Sequence, residues 1–297
     1  MKKSENKIKG KFALENDGEK EKDRNRDAVM TLVFERYFES GASEVPFTLD
    51  DIRNAIAEVQ SKSPGYKEKN TYDVRYHYTS GRGFFPQAME QHGPWMIQGR
   101  GKGRYAFVKL KEPLRLTIQE SLATIYLPDA TPEIVLEYAG GDEQGVLAKL
   151  RYNRLLDVFL GLTCYHLQGH WRTTVKGKGQ VETDDLYVGL NTDGQQFVIP
   201  VEAKSAKDNL AKTQILSSIG FAVQRYAKLI LRPVGVQEMK DGSLVLIEFT
   251  PGDHPDKIKI KNQRRYSLVK FDDVPFDAQQ GIVKQVAQLP PELFTEE

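Results

Sequence analysis

Residues 180–214 read QVETDDLYVGLNTDGQQFVIPVEAKSAKDNLAKTQ, and this stretch gives the clearest indication of the fold. It predicts two strands joined by a turn at residues 191–194, and the second strand is apolar until it ends in Glu202-Ala203-Lys204. Because strand side chains alternate, Glu202 and Lys204 point to the same face. The hairpin can bring an aspartate of the first strand beside Glu202, and two converging carboxylates suit a hard divalent cation such as magnesium. The stretch therefore predicts a metal site beside an ammonium group.

An aspartate, a hairpin and an apolar strand ending in Glu-x-Lys resemble the PD-(D/E)xK nuclease superfamily. Its members include type II and Mrr-type restriction endonucleases and archaeal Holliday-junction resolvases. The resemblance covers roughly residues 147–249 and implies an α/β fold, a restriction-endonuclease-like mixed sheet flanked by helices. It implies phosphodiester hydrolysis by a metal-activated water, with Mg²⁺ held by Asp184 and Glu202 while Lys204 orients or deprotonates that water and offsets phosphate charge. Several branches have a glutamine near the site on the following helix, and Gln214 is similarly positioned.

The chain departs from the superfamily motif at its first position, where two aspartates stand in a row and no proline precedes them. Asp184 shares its strand face with Glu182, and Glu182-Thr183-Asp184 matches the E-x-D form of some branches. We therefore expect Asp184 to be the metal ligand, with Glu182 beside it. Asp185 is the alternative ligand.

A small α+β domain is expected before this core, at residues 26–112. The apolar spacing predicts three helices and then two strands around a glycine-rich turn: residues 27–40, 48–62 and 70–80, followed by 95–98 and 105–110. Thr48, with Asp51 three residues later, is the expected N-cap of the second helix. Three helices followed by a hairpin are typical of a winged helix, in which the third helix enters the DNA major groove and the hairpin tip contacts the backbone.

Positive charge is concentrated in the same region. From Ser61 to Lys111, ten Lys and Arg residues stand against three Asp and Glu residues, a balance that suits a polyanion. The residues expected to contact double-stranded DNA on or after the third helix and on the hairpin tip are Arg75, His77, Arg82, Arg100, Lys102 and Arg104. A small helical domain with a solvated hairpin, or a protein-protein adaptor of that shape, would share this pattern.

The first strand of the core carries a polar row. By alternation, one face of this strand is expected to carry Cys164, His166, Gln168, His170 and Arg172. His170 and Arg172 are expected to contact the DNA backbone near the scissile phosphate. A zinc site made of Cys164, His166 and His170 is the alternative, but it lacks a fourth ligand and the usual spacing.

The remaining segments complete the expected organisation. Residues 1–25 are expected to be a disordered tail, 113–129 a linker, 130–275 the nuclease domain and 276–297 a C-terminal tail. Cys164 is the only cysteine, which fits a reducing cytoplasm. No apolar run approaches the roughly 18 residues that a membrane span needs.

The sequence thus predicts a magnesium-dependent endonuclease that cuts double-stranded DNA, in the setting of restriction. Because cutting both strands usually needs two active sites, a homodimer is expected. One alternative is a repair or recombination nuclease that acts on a DNA structure. Another is a winged-helix DNA-binding regulator whose α/β domain is inactive. The chain has no G-x-S-x-G, Walker or Rossmann glycine pattern, which argues against a serine hydrolase or a nucleotide-binding fold.

Overall fold

The computed structural model describes residues 21–67, 70–81, 83–119, 121–139, 141–175 and 179–275. The chain divides into two compact units, Met1–Arg115 and Leu116–Glu297. Most of the predicted tails, at residues 1–20 and 276–297, lie outside the described residues. Within the described part of the chain, no helix is long and apolar enough to cross a membrane.

The first unit combines helices with a small antiparallel sheet. Helix α1 occupies residues 21–37, and the elements after it are β1 (Glu44–Thr48), α2 (Leu49–Lys62), α3 (Thr71–Thr79), α4 (Gln87–Glu90), β2 (Trp95–Gly99) and β3 (Arg104–Lys109). The strands pair in the order β1-β3-β2. The apolar stripe predicted for α1 is buried at Met30 and Phe34, which pack in one core with Ile52 and Trp95.

Local signals explain where these elements begin. Thr48 caps α2 as predicted, since its hydroxyl accepts from the Asp51 N–H at 3.2 Å while the Asp51 carboxylate accepts from the Thr48 N–H at 2.8 Å. The predicted tail boundary at residue 25 is too late, because residues 21–25 already belong to α1.

The second unit carries the larger sheet. Its elements are β4 (Thr124–Pro128), α5 (Glu133–Tyr138), α6 (Glu143–Tyr152), α7 (Leu155–Leu160), β5 (Thr163–Val175), β6 (Gly179–Leu190), β7 (Gln196–Lys204), α8 (Lys212–Arg225), β8 (Ile230–Leu231), β9 (Val234–Glu238), β10 (Leu244–Phe249) and β11 (Ile260–Val269). Short 3-10 turns follow β10 and β11. The strand order is β4-β11-β10-β9-β7-β6-β5, with β8 paired to β7.

Helices cover both faces of this sheet. Leu147 and Leu150 of α6 pack with Ile199 and Val201 of β7 in one core. On the opposite face, Ile215 and Ile219 of α8, Val245 and Ile247 of β10 and the neighbouring apolar side chains form a second core. Because β7 pairs antiparallel with β6 and parallel with β9, the sheet is mixed. The predicted α/β class, a mixed sheet flanked by helices, is confirmed at this level.

Two boundaries differ from the sequence prediction. The predicted linker at residues 113–129 contains β4, which pairs parallel with β11 and extends the sheet, and the second unit begins at Leu116 rather than residue 130.

The turn at residues 191–194 is confirmed: the Asn191 side-chain oxygen accepts from the Asp193 and Gln195 N–H groups, and Gly194 has a φ of 76° that suits glycine.

Candidate active site

Asp184 and Glu202 come together where β6 and β7 stop pairing. The last pair of their ladder is Asp185 with Val201. Asp184 is the residue before Asp185 on β6. Its side-chain carboxylate, rather than a backbone carbonyl of β6, accepts a hydrogen bond from the Ala203 N–H at 2.9 Å. Burial raises the pKa of Asp184, although the Ala203 N–H and the Lys204 ammonium both favour its charged form. The hairpin therefore delivers Asp184 to the end of β7, as predicted.

Glu202 is buried, and its environment opposes a negative charge. Its carboxyl accepts from the Thr183 hydroxyl at 3.3 Å and also bonds with the Ser218 side chain of α8. Burial and the nearby Asp184 carboxylate together raise the pKa of Glu202 well above its usual range. Ionisation is unfavourable for both Asp184 and Glu202. A cation bound beside them would lower the free-energy cost of their negative charges.

Lys204 supplies the positive charge beside this pair, and it is held by a residue that the sequence pattern did not identify. Its ammonium donates to the Glu143 carboxylate on the first turn of α6 at 3.0 Å. Burial disfavours the ammonium, but the bond to Glu143 and the charges of Asp184 and Glu143 raise the pKa of Lys204. Glu143 lies far from residues 180–214 along the chain, so only the packing of α6 against β7 reveals it.

The donor set suits a hard cation that keeps several water ligands. No group of three or more His, Cys, Asp or Glu side chains among the described residues is arranged to hold a metal ion. Asp184 and Glu202 offer two carboxylates, and magnesium is commonly bound by one or two carboxylates together with waters and substrate phosphates. The residues therefore fit Mg²⁺ with an incomplete protein shell better than a fully enclosed structural metal.

Asp185, the alternative ligand, belongs to a different cluster. Its side chain is fully buried and accepts from Arg151 of α6 through two bonds, at 3.0 and 2.6 Å. His166 lies 3.1 Å from the same carboxylate, and the Tyr187 hydroxyl donates to it at 3.1 Å. Its oxygens are thus committed to neighbours on α6, β5 and β6, and the geometry favours Asp184 as the ligand.

The polar row predicted for β5 is divided between two faces, because the β5–β6 register shifts between His166 and Gln168. His166 turns to Asp185, whereas His170 and Arg172 both contact Glu182, at 3.3 and 2.9 Å. The alternation argument was wrong here. The proposed zinc set is separated accordingly, and burial raises the pKa of the Cys164 thiol to about 12, which disfavours the thiolate that zinc requires.

His170 borders the carboxylate pair. The register pairs Gly169 with Asp185 and Trp171 with Thr183, so His170 lies across from Asp184. Its backbone has a φ of 46°, and its Nε2 lies 2.6 Å from the Gln144 side-chain amide on α6. Glu182, predicted to be catalytic, pairs with His170 and Arg172 at the rim of the site.

Gln214 lies on the third residue of α8, where it caps the helix. Its side-chain oxygen accepts from the Ala211 N–H at 3.2 Å, which helps to explain why α8 begins at Lys212. Its described bond is structural, and a part in catalysis stays a prediction.

The predicted DNA-contacting residues of the first unit differ in availability. Lys102 and Arg104 are exposed on the β2–β3 turn, while Arg100 of that turn pairs with Glu44 at 2.9 Å. His77 contradicts the prediction, because its side chain is only 11% exposed and faces Asp23 and Arg26 of α1. The Arg75 guanidinium stacks on the Tyr105 ring, and Arg82 lies outside the described residues.

No protein-family model, curated protein or solved structure matches the chain.

Proposed function

We propose that the chain is a magnesium-dependent endonuclease of the PD-(D/E)xK type that cuts double-stranded DNA. The observation that carries this proposal is the meeting of Asp184, Glu202 and Lys204, in which the partly buried Asp184 carboxylate adds to the cost of ionising the buried Glu202 beside the Lys204 ammonium. A bound Mg²⁺ would supply positive charge that polarises a phosphate and activates water. Asp184 and Glu202 would hold it, and the mixed sheet flanked by helices is compatible with a restriction-endonuclease-like core.

Lys204 would act as a cation rather than as a base. Its bond to Glu143 keeps it in the ammonium form, so it orients the attacking water and offsets negative charge on the phosphate. Of the two roles expected for Lys204 from the sequence, deprotonation of the water is the less compatible with this environment. Arg172 at the rim would contact the flanking phosphates once it leaves Glu182.

The first unit would grip the duplex. Its order of helix, strand, three helices (the last a single turn, α4) and a hairpin with an exposed cationic tip supports a winged-helix-like domain, in which α3 enters the major groove and Lys102 and Arg104 contact phosphates. Restriction of foreign DNA in the cytoplasm is the setting that we favour. A homodimer would supply the second active site that a double-strand cut needs.

The decisive experiment incubates the purified chain with supercoiled plasmid, with and without magnesium. We expect magnesium-dependent nicking and linearisation, and a loss of at least about 10²-fold in rate for Glu202→Ala and Lys204→Ala, as for removal of a group that stabilises transition-state charge. Lys261→Ala is the matched control, because Lys261, like Lys204, donates to a glutamate at 3.0 Å but lies on β11. Cleavage that persists in Lys204→Ala, or no cleavage at all, contradicts the proposal.

Further arms of the same assay separate the alternatives. A sharp banding pattern favours restriction, whereas preference for branched or single-stranded substrates favours a repair or recombination nuclease. Binding of duplex without any metal-dependent cleavage favours the regulator. Sedimentation analysis tests the homodimer.

A further inference from the structure

Helix α3 exposes two tyrosines on one side. Tyr72 and Tyr76 are four residues apart, and 55% and 43% of their respective areas are exposed. Side chains at this spacing are neighbours on a helix surface. The opposite side of α3 is buried at Val74 and Tyr78, so the tyrosine pair is a surface feature rather than part of the core.

The cations of α3 do not share this exposed side. The Arg75 guanidinium stacks on the Tyr105 ring, 4.9 Å from its centroid, and its Nε is buried without a hydrogen-bond partner. His77 faces α1, as described above. What α3 offers to a ligand is therefore aromatic surface rather than positive charge.

The charged neighbours of the pair indicate which part of DNA it suits. Asp73 is exposed beside the two tyrosines on α3, and a carboxylate is repelled by phosphates but can accept from a cytosine amino group at a base edge. Tyr105, whose ring contacts the Arg75 guanidinium, follows Arg104 on the cationic hairpin. The hairpin near α3 therefore carries positive charge suited to phosphates, whereas the exposed tyrosines of α3 are next to an acidic residue. This combination suits a helix that faces the edges of the bases rather than the phosphates.

We propose that Tyr72 and Tyr76 contact the C5-methyl groups of pyrimidines in the major groove, so that the chain prefers duplexes rich in 5-methylpyrimidines. This inference rests on the proposed function, in which α3 enters that groove. The methyl group of thymine projects into the major groove and is read by apolar contact. A buried methyl group is worth about a fourfold change in affinity. Thymine and 5-methylcytosine present the same group, and the experiment distinguishes them.

The test compares duplexes of one sequence made by polymerase copying with dTTP or dUTP, and with dCTP or 5-methyl-dCTP. Binding is measured by gel shift in EDTA, so that no strand is cut. We expect the unaltered chain to bind the thymine duplex at least about fourfold more tightly than the uracil duplex. The comparison of 5-methylcytosine with cytosine tests whether the methyl group of 5-methylcytosine is recognised in the same way. Tyr72→Ala with Tyr76→Ala should abolish this preference.

Matched variants separate methyl contact from other roles. Tyr72→Phe with Tyr76→Phe keeps the rings and should keep the preference, whereas its loss would mean that the hydroxyls bind phosphates and would overturn the inference. Tyr138→Ala removes a more exposed tyrosine from the second unit and should change nothing. Equal binding of methylated and unmethylated duplexes by a chain that cuts plasmid overturns this inference alone. Failure both to bind and to cut any duplex overturns the proposed function as well.

Discussion

At residue 202 the chain buries a carboxyl group that water would keep charged at neutral pH. Since burial and Asp184 raise the pKa of Glu202, the contribution of Glu202 to the stability of the metal-free protein is most favourable while this group is protonated. That stability is lost as the pH rises from the ordinary value of 4.5 through the higher folded-state pKa. At neutral pH the buried Glu202 carboxyl therefore lowers the free energy of unfolding, and a bound cation would offset this loss.

We predict that Glu202→Gln raises the melting temperature of the metal-free protein at pH 8, by about 2 °C or more, and that the gain shrinks towards pH 4. The neutral amide has no charge to bury, so it escapes the loss that the carboxyl suffers. Calorimetry in EDTA across this pH range measures the effect. Glu238→Gln, which removes a carboxylate that pairs with Lys149, should not show the same pH-dependent gain. A gain that is equal at every pH would contradict this prediction.

Substitution of the two neighbouring aspartates should destabilise the protein to different extents. Asp185→Ala leaves Arg151, His166 and Tyr187 without their shared acceptor, and we expect it to cost about 3 kcal/mol of unfolding free energy. Asp184→Asn should cost far less in metal-free protein, since burial already raises the pKa of Asp184. Urea unfolding at neutral pH compares the two. Equal losses would mean that the two carboxyls do not differ in environment.

At the scale of elements, α6 ties the site together. Its first turn holds Lys204 and His170 through Glu143 and Gln144, and its later turns hold Glu238 and Asp185 through Lys149 and Arg151. A single helix thus contacts β5, β6, β7 and β9 around the carboxylate pair.

We predict that Glu143→Gln moves the alkaline limb of the pH–activity profile to lower pH. Burial already disfavours the Lys204 ammonium, and the substitution removes the negative charge that helps to raise its pKa and replaces a charge-assisted hydrogen bond with a neutral one. Plasmid nicking across a pH series measures the limb. Glu238→Gln breaks another ion pair between α6 and the sheet and should leave the limb in position. An unmoved limb in Glu143→Gln would mean that the Lys204 charge does not limit the rate.

Strands were predictable from the sequence where their burial was regular. The run FVIPV predicts β7 because every residue from Phe197 to Ala203 is buried. Strand β11 was missed because its Asn262-Gln263-Arg264-Arg265 segment is polar and mostly half-buried, which gives no alternation. Strand β1 was missed because Pro46 demotes a short apolar run, although an edge strand tolerates it.

The site was predictable only where its residues are close in sequence. One hairpin determines how Asp184, Glu202 and Lys204 meet, so local spacing was sufficient. Glu143 belongs to a separate helix, and no local pattern distinguishes it from an ordinary first-turn acid. The choice between Asp184 and Asp185 depended on Arg151, which reaches the latter from α6.

At the scale of the whole molecule, the proposed binding of DNA would depend mainly on electrostatics. Each phosphate contact contributes close to one unit of slope when the logarithm of the binding constant is plotted against that of salt. We predict that Lys102→Ala with Arg104→Ala lowers this slope by about 2 and weakens binding to all sequences alike. Titrations at several salt concentrations measure it. Lys62→Ala, a cation of α2 that pairs with Glu58, is the control. A slope that the double substitution leaves unchanged would exclude the hairpin tip from the interface.

The extra residue at the β5 register shift allows one strand to serve two separate neighbourhoods. Before it, His166 joins the network that stabilises Asp185, and after it, His170 and Arg172 reach the rim beside Asp184. Deleting Leu167 would move every later side chain of β5 to the opposite face of the sheet. His170 and Arg172 would then no longer lie beside Glu182 at the rim of the site. Insertions and deletions at this point are therefore far more disruptive than any single substitution there, and designers who graft or shorten this strand must preserve its residue count.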